Sequence, residues 1–218
     1  IWGTTWFAME VALHSIPPIF ATGLRFLLAA PLLAVLAKAF NQPLLFPKGK
    51  RQWLLIVALM YFAIPFTLMI YGEQYISSGL ASIIFANMPV AVMLMSGLFL
   101  GLRLAKHQIF GLVTAVISLC LILGNEMQMG GDDYFIGTVC LGLAVAIHAV
   151  MYVLVQKHCK GIEVLTYNAV PSFIAAIFLF AVSAVGENVN VESFTWDSIS
   201  AVVLSLIHIS EPTRLTCI

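Results

Sequence analysis

Sorted into apolar and polar positions, the chain is a series of long hydrophobic runs separated by short polar connections. A bilayer core of about 30 Å is crossed by roughly 20 residues of α-helix, each rising 1.5 Å. On that ruler the pattern predicts seven membrane spans and the start of an eighth. Span 1 ends near residue 13; the next six cover 18–39, 53–72, 80–102, the short 109–124, 135–156 and 164–185; span 8 opens near residue 198. None of these runs carries the polar face that a helix of a water-soluble bundle turns to solvent. Pro31, Pro65 and Pro89 lie within spans 2, 3 and 4. Each removes a backbone donor and predicts a kink, which either serves packing or frees carbonyls to line a cavity. Trp53 and Trp196 stand at span entrances, where amphipathic rings anchor among headgroups.

Composition narrows the class. Of 218 residues, 61% are hydrophobic and only 9% charged, against roughly 25% charged in a soluble domain. Ten Lys+Arg balance ten Asp+Glu, and a net charge of zero excludes a nucleic-acid binder held by phosphate contacts. A water-soluble enzyme and a disordered segment are excluded as well. The four cysteines form no CxxC or Cys/His pattern with zinc spacing, so neither metal nor cofactor is expected. No cleavable signal peptide is visible.

The placement of charge says more than its sum. Lys38, Lys48, Lys50 and Arg51 follow span 2, Arg103 and Lys106 follow span 4, and Lys157 and Lys160 follow span 6. The intervening connections carry Glu73, then Glu126, Asp132 and Asp133, then Glu187, Glu192 and Asp197, without a single Lys or Arg. The positive-inside rule puts the basic connections in the cytoplasm, with a cytoplasmic N-terminus and odd-numbered spans running outward.

A weak internal repeat accompanies this alternation. Sliding the chain by 147 positions sets Phe26 on Phe173, Ala29 on Ala176, Leu32 on Leu179, and Ala34, Val35 and Ala37 on Ala181, Val182 and Ala184. Five spans precede the repeat point, so the second copy starts from the opposite side of the membrane, as an inverted repeat. Two copies make a protein of about 294 residues and ten spans.

Specific residues then carry a resemblance. Trp2-Gly3-Thr4-Thr5-Trp6-Phe7-Ala8, Pro17-Pro18, Leu24-Arg25-Phe26-Leu27-Leu28-Ala29-Ala30, and the stretch from Tyr71-Gly72-Glu73-Gln74 through Ser82 follow one another in order. With Pro89 and Leu98-Phe99-Leu100-Gly101, they resemble EamA-type members of the drug/metabolite transporter superfamily over about residues 1–203. The resemblance implies ten helices in two inverted five-helix halves that carry small metabolites across a bacterial-type cytoplasmic (inner) membrane, often outward. The chain departs from that pattern at Glu10, where similar proteins commonly have Lys, at Leu102, where they have Glu, and at His148, where an aromatic residue is usual. Substrate therefore does not carry over from relatives.

The expected fold class is an all-α integral membrane protein, an inverted repeat of five-helix halves truncated to about seven complete or nearly complete transmembrane helices. Residues 1–125 form the first repeat and 126–203 the start of the second. Residues 204–218 resemble a translated sequencing adapter and are read as a non-native tail, the alternative being a genuine loop after a short span. Both ends read as cut, making the chain a fragment that by itself should not transport.

Transport requires polar groups facing a cavity at membrane depth, because a charge facing lipid costs about 2.5–3.5 kcal/mol. The substrate-cavity candidates are Glu10, Arg25, Tyr71, Gln74, Asn87, His148 and Tyr152. Glu10 is either an interfacial carboxylate or a titratable group for proton coupling or a cationic substrate. Arg25 snorkels, pairs with Glu10, or attracts a carboxylate. Asn87 adjoins the Pro89 kink, with a cavity role or a helix–helix hydrogen bond open to it. His148 and Tyr152 are one turn apart and share a helix face. Tyr71 and Gln74 close span 3, near Tyr75, a candidate interfacial anchor. No GxSxG, HExxH or phosphate-binding glycine loop occurs, so no catalytic residue is expected. The expectation is a secondary transporter, an exporter of amino-acid-like or drug-like solutes working by alternating access, with a small-molecule substrate, the bilayer and protons or another coupling ion as partners. A non-transporting scaffold or sensor and an intramembrane enzyme are the rivals; oligomeric state stays open.

Overall fold

Backbone amides surrounded by hydrocarbon must find partners within the chain, and helices achieve this locally. The structure, a computed structural model, describes residues 2–102 and 104–210. Among the described residues every regular element is helical: α1 Trp2–Leu13, α2 Pro18–Ala39, α3 Arg51–Ile56, α4 Ile64–Glu73, α5 Ser78–Ala86, α6 Met88–Leu100, α7 Lys106–His158, α8 Val164–Gly186 and α9 Trp196–Ser210. Arg103 and residues 211–218 of the adapter-like tail 204–218 lie outside the described residues, as do the side chains of residues 2–5, 126–132, Val191 and 206–210. Among the described residues, six stretches are long and apolar enough to cross a membrane: Pro18–Ala39, Lys48–Glu73, Ser78–Leu100, Lys106–Asn125, Asp133–His158 and Val164–Gly186. They coincide with predicted spans 2 to 7, and the chain is an all-α integral membrane protein.

Pro65 and Pro89 stand beside departures from helical regularity. Span 3 contains a π-helical segment, Val57–Ala63, immediately before Pro65. A proline ring collides with the carbonyl one turn earlier, and a widened turn accommodates that collision. Span 4 is interrupted at Asn87, with Pro89 in the first turn of α6. Pro31 instead sits within an unbroken α2.

Two compact units emerge, one of Ile1–Ala63 with Gly161–Ile218, the other of Ile64–Lys160. The first is centred on α2 and α8, packed antiparallel. Phe20 meets Phe180 edge-on at 5.1 Å, and Ala29 and Leu33 pack on Ala169. Around this pair, Ala8 and Ala12 of α1, Ile16, Ala21 of α2, and Ala201 and Val202 of α9 form a second cluster. Adding 146 to a residue number carries the start of α2 at Pro18 onto the start of α8 at Val164. It also carries the buried Ala21, Gly23, Arg25, Phe26, Ala29, Ala30, Leu33 and Ala37 onto the buried Tyr167, Ala169, Pro171, Ser172, Ala175, Ala176, Leu179 and Ser183. The two helices thus bury the same face in the same register, one position from the spacing at which their residue types match best.

In the second unit, α4 lies against the latter part of α7. A Cβ at Gly72 would stand 2.9 Å from the carbonyl oxygen of Gly137, and one at Gly137 only 2.6 Å from Ile76. At this point the two backbones touch, which only hydrogen side chains permit.

α7 is a helical run of 53 residues, about 80 Å if straight. Lys157, near its end, donates to the carbonyl of Phe99 at 3.3 Å, and the chain from Phe99 to Lys106 reaches at most about 25 Å. The run therefore reverses direction between its two apolar stretches, which form separate arms. No proline stands between them; the reversal follows from contacts rather than from a helix breaker. No residue of the first arm, Lys106–Asn125, is buried.

Gly137→Ala is expected to force α4 and α7 apart and destabilise the protein by roughly 1–3 kcal/mol. Gly142→Ala, where nothing lies within 4 Å, is expected to be neutral. Thermal unfolding of the purified variants in detergent checks this, and equal melting temperatures would refute the backbone contact.

Candidate functional site

The sequence candidates divide between the two units. In the first, Glu10 lies on the exposed side of α1, whereas Arg25 on α2 is 1% exposed. In the second unit, Tyr71 on α4 and Gln74 in the turn after it are exposed, Asn87 and Tyr152 are half-buried, and His148 on α7 is 9% exposed.

Asn87 works on its own backbone. Its N–H donates to the Ile84 carbonyl at 3.2 Å, tightening the last turn of α5. This leaves the Ile83 carbonyl without its usual donor, and the Asn87 side-chain amide supplies one at 2.9 Å. The same residue begins α6, its carbonyl accepting from Ala91 at 3.1 Å. Asparagine suits such a break because its short amide can replace a backbone bond.

His148 presents its ring to Phe66 of α4, with centroids 5.5 Å apart and planes at 64°. This edge-to-face geometry holds the imidazole in an apolar setting at the middle of predicted span 6. Tyr152 follows one turn later on the same helix. At the other end of α4 the Tyr75 hydroxyl donates to the Tyr71 hydroxyl at 2.9 Å, the rings 5.4 Å apart. That bond favours the protonated phenol and raises the Tyr75 pKa above its ordinary 10.0, with desolvation acting in the same direction.

Two carboxylates escaped the sequence reading. Glu73, the last residue of α4, is 5% exposed. Glu187, just beyond α8, accepts from the backbone N–H of Ile19 at 2.8 Å and of Phe20 at 3.0 Å, and from the Ser183 hydroxyl at 2.6 Å. Both had been counted only as acids of polar connections. Position at a span end gives no sign of whether a side chain turns inward; the available hint is that each directly follows a glycine closing an apolar run.

Ile19 and Glu187 flank connections assigned to one side, and Thr166 donates to the carbonyl of Pro43 between ends assigned to the other. Phe99 and Lys157 likewise join two ends assigned to that second side. Among the described residues no group of three or more His, Cys, Asp and Glu side chains is placed to hold a metal.

Comparison with known proteins adds the lineage. The profile of the EamA-like transporter family matches residues 1–124. An uncharacterized transporter of Buchnera aphidicola subsp. Schizaphis graminum is 45% identical over 201 residues, covering 92% of this chain and 67% of the relative. Protein PagO of Salmonella typhimurium is 45% identical over 200 residues, covering 92% and 66%. The uncharacterized transporter YoaV of Bacillus subtilis is 27% identical over 199 residues, covering 91% and 68%. The chain spans about two thirds of the length of these relatives. No solved structure matches it.

Replacing Tyr71 by Phe is expected to lower the Tyr75 pKa toward 10.0 by removing the acceptor. Alkaline absorbance titration, with Tyr75→Phe as the blank, checks this; an unchanged transition would show that the Tyr71 hydroxyl is not its cause.

Proposed function

The chain belongs to the EamA-like transporter family, and from that premise we propose that it is the larger part of a secondary transporter, moving small metabolites across a bacterial-type inner membrane by alternating access. The observation that carries this reading is the burial of Arg25, Glu73 and His148 in so apolar a chain. Ionisable groups at membrane depth are expensive, and they are kept where substrate or a coupling ion uses them. The interruption at Asn87 and the π-helical segment before Pro65 add the irregular helices typical of transporter cores.

Arg25 attracts an anionic substrate group in this reading, His148 and Tyr152 offer hydrogen bonds, and Glu73 joins the candidates the sequence supplied. The substrate is an amino-acid-like or drug-like solute, export is the direction, and protons or another ion gradient supply the energy. Residues 1–125 form the first repeat and 126–203 the opening of its inverted copy; the shared buried face of α2 and α8 supports that division. The N-terminus is cytoplasmic in this reading, on the strength of the alternation of basic and acidic connections along the sequence. Glu10, exposed on α1, serves at the cavity mouth.

In inverted membrane vesicles containing the intact protein, a panel of labelled amino acids and amphiphilic cations is expected to yield at least one solute whose uptake collapses with the proton gradient. Arg25→Ala and His148→Phe are expected to reduce that flux by roughly tenfold or more, with Arg25→Lys intermediate. Well-folded variants with undiminished flux would deny each residue a part in transport, and absence of flux for every solute would favour a scaffold or sensor.

A further inference from the structure

The α2–α8 seam is clipped at both ends by side chains of the α8 segment. At one end the Glu187 carboxylate spans the first free amides of α2, accepting from Ile19 and Phe20 while Ser183 holds its second oxygen. A carboxylate at a helix N-terminus satisfies orphan donors and opposes the positive end of the helix dipole. At the other end Thr166, itself fully buried, donates to the carbonyl of Pro43 just beyond α2. Between the clips the helices are in close contact: a Cβ at Gly23 would lie 3.3 Å from the Phe180 ring and 3.5 Å from the Leu179 Cβ.

We propose that this seam stays closed throughout the transport cycle and is the fixed pivot about which the rest of the protein moves, with Glu187 as the positioning residue that locks it. The inference rests on the transport reading above and narrows its mechanism. Rocking of two repeats need not separate every contact between them, and the contacts that hold are those with polar partners at both ends. Opening the seam would strip Ile19 and Phe20 of their acceptor at the membrane surface and expose the Thr166 hydroxyl and Pro43 carbonyl together.

The test is a reversible cross-link in the intact protein on a cysteine-free background. Gly23→Cys with Leu179→Cys places two Cβ atoms within disulfide range. Oxidation is expected to link α2 to α8 rapidly, seen as a mobility shift after proteolysis, and to leave flux within about twofold of the reduced protein. Flux that falls tenfold or more on oxidation and returns with reductant would overturn the pivot while leaving the transport reading intact. A reduced, well-folded protein with no flux for any solute tested would end the transport reading and this inference with it. Glu187→Ala is expected to slow disulfide formation by roughly fivefold, because a charge-assisted clip is lost. Glu187→Gln, which keeps one acceptor oxygen, is expected to restore part of that rate; equal rates in all three proteins would deny Glu187 its positioning role.

Discussion

In hydrocarbon an unpartnered backbone amide or carbonyl costs several kcal/mol, because no water is available to satisfy it. The helices meet this constraint by default, so the informative places are those where the default fails. Three kinds stand out among the described residues. Before Pro65 the helix widens into a π-helical segment. At Asn87 a side-chain amide takes over the bond that the interrupted backbone cannot make to Ile83. At the start of α2 a carboxylate from the far end of α8 covers the free donors. Each repair uses a residue whose placement looks incidental until the backbone accounting is done.

Much of the architecture was legible because membrane thickness is a one-dimensional ruler and hydropathy is a one-dimensional signal. Span 2 was predicted at 18–39 and α2 occupies Pro18–Ala39. The sequence reading also separated spans 5 and 6, although glycine and acidic residues do not end a helix outright and the helical run continues between them. The approach of Lys157 to Phe99 nevertheless requires the reversal that the ruler demanded. Facing direction was harder to read. Hydropathy cannot say whether a residue at the end of a span turns inward or outward, so Glu73 and Glu187 read from the sequence as loop acids. Arg25 and His148 stood out because any polar residue in the middle of an apolar run is conspicuous, and both are buried.

The α2–α8 seam shows what composition conceals. Gly23, Ala29, Ala30, Ala169, Ala175 and Ala176 do not announce a seam one by one in a chain this rich in small apolar residues. Their common spacing on two antiparallel helices lets the backbones approach and brings large neighbours such as Phe20 and Phe180 into edge contact. The residue types had suggested a spacing of 147, but burial repeats at 146. Packing selects size and facing, whereas identity matching rewards any shared apolar letter, and along a helix the two criteria can differ by one position.

Helix association in a bilayer lacks the hydrophobic driving force that closes a soluble core, since lipid covers an apolar face as well as a neighbouring helix does. The arm Lys106–Asn125, unburied in this structure, is apolar over most of its length, and lipid tolerates such a surface as readily as a neighbouring helix does. A seam that endures must therefore draw its specificity from close backbone approach and from polar bonds that lipid cannot replace. The first unit concentrates such bonds at the ends of its helices, where Ser198 donates to the Val11 carbonyl and Ser15 accepts from the Thr195 amide, alongside the Glu187 and Thr166 clips. Apolar faces set where the helices lie in the membrane, and the hydroxyls and carboxylate at their ends determine which of them stay together.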